Sequence, residues 1–119
     1  MNEAAARPWP TELRLNGAKD ELTVVFDSGE GFALPAEYLR VESPSAEVQE
    51  HSAAGKQIVL GKKNVKIVAL EPVGNYAVRI RFDDGHDTGL FSWDYLHELG
   101  REQRTKWAAY VKASASKTR

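Results

Sequence analysis

The sequence predicts an α+β domain: a small antiparallel β-sheet with C-terminal α-helices packed on one side. Three observations lead there. Apolar and polar residues alternate with period two through several short segments before residue 83. Two of those segments are joined by Gly74-Asn75, a strong hairpin signal. Helical periodicity is confined to the last third, and strands first with helices last is the α+β order. At 119 residues the chain suits one hydrophobic core, with the folded domain over 10–113 and flexible ends at 1–9 and 114–119.

Leu13 and Leu15 alternate with Glu12, Arg14 and Asn16, the pattern of a half-buried strand. Asn16-Gly17 supplies a turn into Leu22-Val24-Phe26, and Asp27-Ser28-Gly29-Glu30-Gly31 supplies another into Phe32 and Leu34. These pieces read as an antiparallel meander. Pro35 to Arg40 suits a single helical turn with proline at its start. Ser43 to Gln57 has no clear period and reads as a long polar loop. Ile58-Val59-Leu60, Val65 to Val73 and Tyr76 to Phe82 are further strand candidates. In the last of them Tyr76, Val78, Ile80 and Phe82 are expected to face the core, with Ala77, Arg79 and Arg81 outward.

Ser92 is placed to cap a helix with Asp94 in its first turn, Trp93, Leu96 and Leu99 as its apolar stripe and Gly100 as its stop. A second helix, from about Glu102 to Ala113, carries Trp107 and Val111 one turn apart. The stretch Arg101 to Arg119 holds Arg101, Arg104, Lys106, Lys112, Lys117 and Arg119 against Glu102, a surplus of +5. A solvated helix face explains that surplus more simply than a nucleic-acid patch. The net charge of -1 gives no global attraction to a polyanion, so nucleic acid is not an expected partner.

Composition removes several chemistries. Cysteine is absent, which excludes disulfides, thiolate zinc sites, cysteine-ligated iron–sulfur clusters and cysteine nucleophiles. No apolar run approaches the roughly 20 residues of a membrane span and no signal-peptide pattern opens the chain, so a cytoplasmic protein without membrane contact is expected.

The densest polar segment is Asp83-Asp84-Gly85-His86-Asp87, which joins the last strand candidate to the region of the capped helix. Imidazole and carboxylates suit a metal or proton-transfer site, here His86 with Asp84 or Asp87. The same residues are also ordinary turn chemistry, with Gly85 accepting positive φ and aspartates bonding their own backbone. The turn reading ranks first. His51, His86 and His97 each lack a carboxylate two residues on, so the spacing common in mononuclear iron oxygenases is missing. Glu47, Glu50 and His51 fall in the polar loop, and His97 reads as a solvated helix residue. No Gly-x-Ser-x-Gly elbow or phosphate-cradling glycine loop is present. Among the aromatics of the C-terminal third, most should be core, while an exposed Trp93 or Tyr95 would anchor a protein partner.

Three segments taken together carry a resemblance: Leu34-Pro35-Ala36-Glu37-Tyr38-Leu39-Arg40, Glu71 to Val78, and Asp83 to Leu96. Through them the chain resembles DUF971, the gamma-butyrobetaine hydroxylase-like N-terminal domain family, over roughly Pro10 to Gly100. In that family the domain stands alone, precedes an oxygenase domain, or is fused to nucleotide-dependent iron–sulfur carriers of the Mrp type. The resemblance implies a β-rich module that, in the hydroxylase, holds a structural zinc through a Cys-x-Cys-x-x-Cys motif and a later histidine. Those positions fall here on Ser43, Ser45, Val48 and His86. No thiolate is available at any of the first three, so the resemblance implies a lost zinc site, no expected cofactor, and a structural hydrogen bond from His86 to the segment around Ser43. The function implied is a non-catalytic protein-interaction module serving an oxygenase or an iron–sulfur carrier. The alternative is an iron- or zinc-binding protein using His86 and its neighbouring aspartates. Asp83, Asp84, His86, Asp87, Trp93 and Tyr95 are the site candidates, and no catalytic residue is assigned.

Overall fold

The computed structural model describes residues 8–44, 62–87 and 89–117. Its elements are β1 (Pro10–Leu15), β2 (Glu21–Phe26), β3 (Gly31–Pro35), α1 (Ala36–Val41), β4 (Ile67–Val73), β5 (Ala77–Phe82), β6 (Gly89–Ser92), α2 (Trp93–Arg101) and α3 (Gln103–Lys117). The α+β class holds, but the strands form two three-stranded antiparallel sheets, β1-β2-β3 and β4-β5-β6, in place of one. The strand expected at residues 58–60 and the residues Ser45, Glu47, Val48, Glu50 and His51 lie outside the described residues.

Both meanders follow from alternation. Leu22, Val24 and Phe26 of β2 point inward, and the fully buried Val78 and Ile80 of β5 meet them in one core with Leu34, Tyr38, Leu39, Ile67, Phe91, Leu96 and Leu99. The sheets are tied where the Ile67 N–H donates to the Lys19 carbonyl at 2.8 Å. The first turn is organised by Asn16, whose Oδ1 accepts from the Asp20 and Glu21 amides at 2.9 and 3.1 Å. Among the described residues no helix is long and apolar enough to cross a membrane.

The β4–β5 hairpin forms with one change of parity. Residues 74–76 all belong to the turn, so β5 starts at Ala77, which is buried, and Tyr76 is 55% exposed. From Val78 onward the expected alternation is met. His97 is not a solvated residue either: Nε2 lies 2.7 Å from Glu30 Oε1, and the ring sits edge-on to Phe26 at 5.0 Å. That hydrogen bond, aided by one from Ser28, holds the Glu30 carboxyl below its ordinary range.

Helix α2 is capped as expected, Ser92 Oγ accepting from the Tyr95 N–H at 3.1 Å. It does not stop at Gly100 but runs through it to Arg101. Gly100 is there for close approach: a Cβ would overlap the Phe32 ring, which packs in turn on Phe26 and His97. Gly100→Ala should therefore destabilise by about 1–2 kcal/mol, the overpacking cost exceeding the roughly 1 kcal/mol of helix propensity that alanine adds. Urea denaturation reads this directly, and a stabilised variant would contradict the packing. Helix α3 passes Ala113, its expected end, and continues to Lys117. Its inner face is Trp107 and Tyr110; Val111 is 47% exposed.

Candidate functional site

The acidic segment after β5 is a turn in which Asp83, Asp84 and His86 are used by the fold. The Phe82 N–H donates to the His86 carbonyl at 2.9 Å, with Gly85 at φ 93° between them. Asp83 bonds Lys66 on both sides, its N–H donating to the Lys66 carbonyl at 2.9 Å and its Oδ1 accepting from the Lys66 N–H at 3.0 Å. Asp84 Oδ2 is shared by Arg40 Nε at 2.8 Å and Lys62 Nζ at 2.6 Å, while Oδ1 accepts from the His86 N–H at 3.1 Å. Burial alone would raise the Asp84 carboxyl, but the Lys62 ammonium, the His86 amide and the Arg40 guanidinium outweigh it and bring it down to about 2. Asp87 is exposed.

His86 Nε2 lies 2.8 Å from Ser43 Oγ, so the hydrogen bond expected from the family comparison is present. Ser43 is buried and its hydroxyl packs over Gly89, where any Cβ would overlap it. A zinc ion does not fit this donor set: a serine hydroxyl replaces a thiolate, and it is engaged with the imidazole that would be the other ligand. Among the described residues no three of histidine, aspartate and glutamate converge on a point that could hold a metal ion. Asp84, the nearest acid in sequence to His86 on its N-terminal side, carries two cations instead.

The aromatic candidates separate. Tyr95 is structural, its hydroxyl donating to the Glu42 carbonyl at 2.6 Å and tying α2 to the end of α1. Burial pushes that hydroxyl far above the ordinary phenol range. Trp93 is half-buried and fixed, its indole N–H donating to the Asn75 carbonyl at 2.8 Å. The Trp9 ring stands edge-on to it, centroids 6.4 Å apart at 74°. With Tyr76 and Pro8 they line an open groove of about 280 Å³ bordered by Asp94. Trp9 is 48% exposed and Tyr76 is 55% exposed, an outlay of aromatic surface that the core does not require.

Sequence reasoning missed Trp9 and Tyr76. Trp9 fell in the stretch read as a loose end, yet its carbonyl accepts from the Asp27 N–H at 2.8 Å. The available signal was Pro8-Trp9-Pro10, a large apolar residue between two prolines outside any period. Tyr76 was assigned to the core by the parity error described above.

The chain is thus a two-sheet α+β domain in which Asp83, Asp84 and His86 of the acidic turn are hydrogen-bonded within the fold and the aromatic groove is open. The family model described as gamma-butyrobetaine hydroxylase-like, N-terminal, matches residues 13–97, and the chain belongs to that family. Two protein structures determined by NMR in solution are similar, at 43% identity over 95% of this chain and 89% of theirs with a TM-score of 0.79, and at 44% identity over 100% and 89% with a TM-score of 0.80. A crystal structure of a protein of unknown function from Acidithiobacillus ferrooxidans ATCC 23270, assigned to the DUF971 family, is 41% identical over 76% of this chain and 91% of that one, with a TM-score of 0.64. No curated protein matches.

Proposed function

We propose that this domain is a non-catalytic protein-interaction module that docks a larger partner through Trp9, Tyr76 and Trp93. The observation that carries the reading is the contrast between the two polar regions. Asp84 and His86 are engaged by the turn they belong to, while the aromatic groups best suited to an interface stand at the surface. The partner class is an oxygenase or an iron–sulfur carrier, taken from the company that domains of this family keep.

The test is affinity capture from the native host with wild-type protein and with Trp9→Ala and Tyr76→Ala. Both side chains are exposed enough to be removed without opening the core, whereas Trp93 also holds the Asn75 carbonyl. Wild type should capture a partner, and each variant should weaken the complex by about tenfold or more, the loss typical of an interface anchor. No partner recovered, together with turnover by the isolated protein, would refute the reading.

A further inference from the structure

We propose that the elbow between α2 and α3 is a second docking groove, built to take an acidic peptide segment. Arg101 closes α2, Arg104 lies in the first turn of α3, and the two flank an open groove of about 660 Å³ that also exposes part of Trp107. Among the described residues neither guanidinium has an ion-pair or hydrogen-bond partner. Glu98 and Glu102 face Lys106 at 3.5 and 3.9 Å, and Glu30, bonded to His97, feels the charge of Arg101 without forming an ion pair with it. The first turn of α3 contains no acidic residue. Two planar cations with no direct ion pair, beside an aromatic surface, match carboxylates carried on a chain that also has an apolar side chain to lay against Trp107.

A single-stranded nucleic acid fits the same groove less well. Base stacking needs a free aromatic face and a continuous basic track. Trp107 is already packed by Tyr38, edge-on at 6.1 Å, and by Tyr110 at 5.1 Å. The whole chain carries a net charge of -1, with a sequence pI of about 6.3, and offers a long polyanion no general attraction.

The groove lies at the opposite end of α2 from Trp93, about 12 Å away along a helix rising 1.5 Å per residue. It is therefore independent of the aromatic site.

The experiment is fluorescence anisotropy of the full chain with a short fluorescein-labelled peptide of Asp, Glu and Leu. Wild type should bind it, and Arg101→Glu with Arg104→Glu should weaken binding by about tenfold or more. A control, Arg14→Glu with Lys63→Glu, makes the same change in net charge at other exposed positions and should leave affinity unchanged. Trp9→Ala should also leave it unchanged. Equal losses in the two double variants, failure of wild type to bind, or tighter Arg101- and Arg104-dependent binding of a single-stranded oligonucleotide would overturn the proposal.

Discussion

Tyr38→Ala should destabilise the domain by about 3–5 kcal/mol, as for other buried aromatics cut to alanine. That is a large fraction of the total for a chain of this size. Tyr38 is 1% exposed, its ring meets Trp107 edge-on at 6.1 Å, and its hydroxyl donates to the Leu99 carbonyl at 2.7 Å. The Leu99 carbonyl belongs to the last turn of α2, where the helix offers no amide of its own. Tyr38 is thus at once core and helix terminator. Tyr38→Phe keeps the ring and isolates the second role; it should cost about 1–2 kcal/mol by leaving that carbonyl unpaired. Equilibrium unfolding in urea separates the two variants, and a phenylalanine variant as stable as wild type would remove the capping role. Burial also pushes this hydroxyl far above its ordinary value, so its contribution is intact below pH of about 10 and declines as pH rises beyond it.

Removing the charge of Asp84 is expected to have the next largest effect. Asp84→Asn leaves Arg40, whose side chain is 12% exposed, beside Lys62 with no anion between them. Arg40 Nη1 is already buried without a hydrogen-bond partner among the described residues, so loss of the Asp84 charge falls on a guanidinium that is already incompletely satisfied. A loss of about 2–3 kcal/mol follows. Acid titration provides a second reading. The folded carboxyl sits at about 2, below its unfolded value, so the stability it confers is complete above pH of about 4 and is lost as pH falls toward 2. At neutral pH that linkage amounts to about 1–2 kcal/mol for a part-solvated group. The slope of stability between pH 4 and 2 should therefore flatten in Asp84→Asn, and an unchanged slope would exclude Asp84 as its source.

Much of this architecture is legible from local pattern. Alternation located β2 and β5, Ser92 announced the start of α2, and the density of aspartate and glycine after Phe82 announced a turn. What local pattern cannot deliver is pairing between distant residues. Arg40 and Lys62 lie 44 and 22 positions from Asp84, and nothing in their own surroundings marks them as its partners. Division into two sheets likewise depends on which strands meet, a decision taken by long-range packing. The face assignment of Tyr76 failed because one extra turn residue reverses every side chain before the strand begins. Gly100 was read as a helix stop because glycine usually ends helices; its neighbour Phe32 comes from β3.

The bonds at Asp84 and Ser43 have one more consequence, for how distant parts of the chain are held together. Arg40 and Ser43 fasten the chain just before residue 45, Lys62 fastens it just after residue 61, and all three grip the same end of the β5–β6 connection. A single carboxylate therefore joins three separate stretches of chain, the end of α1, residue 62 and the β5–β6 connection, so that neutralising it is felt on all three at once.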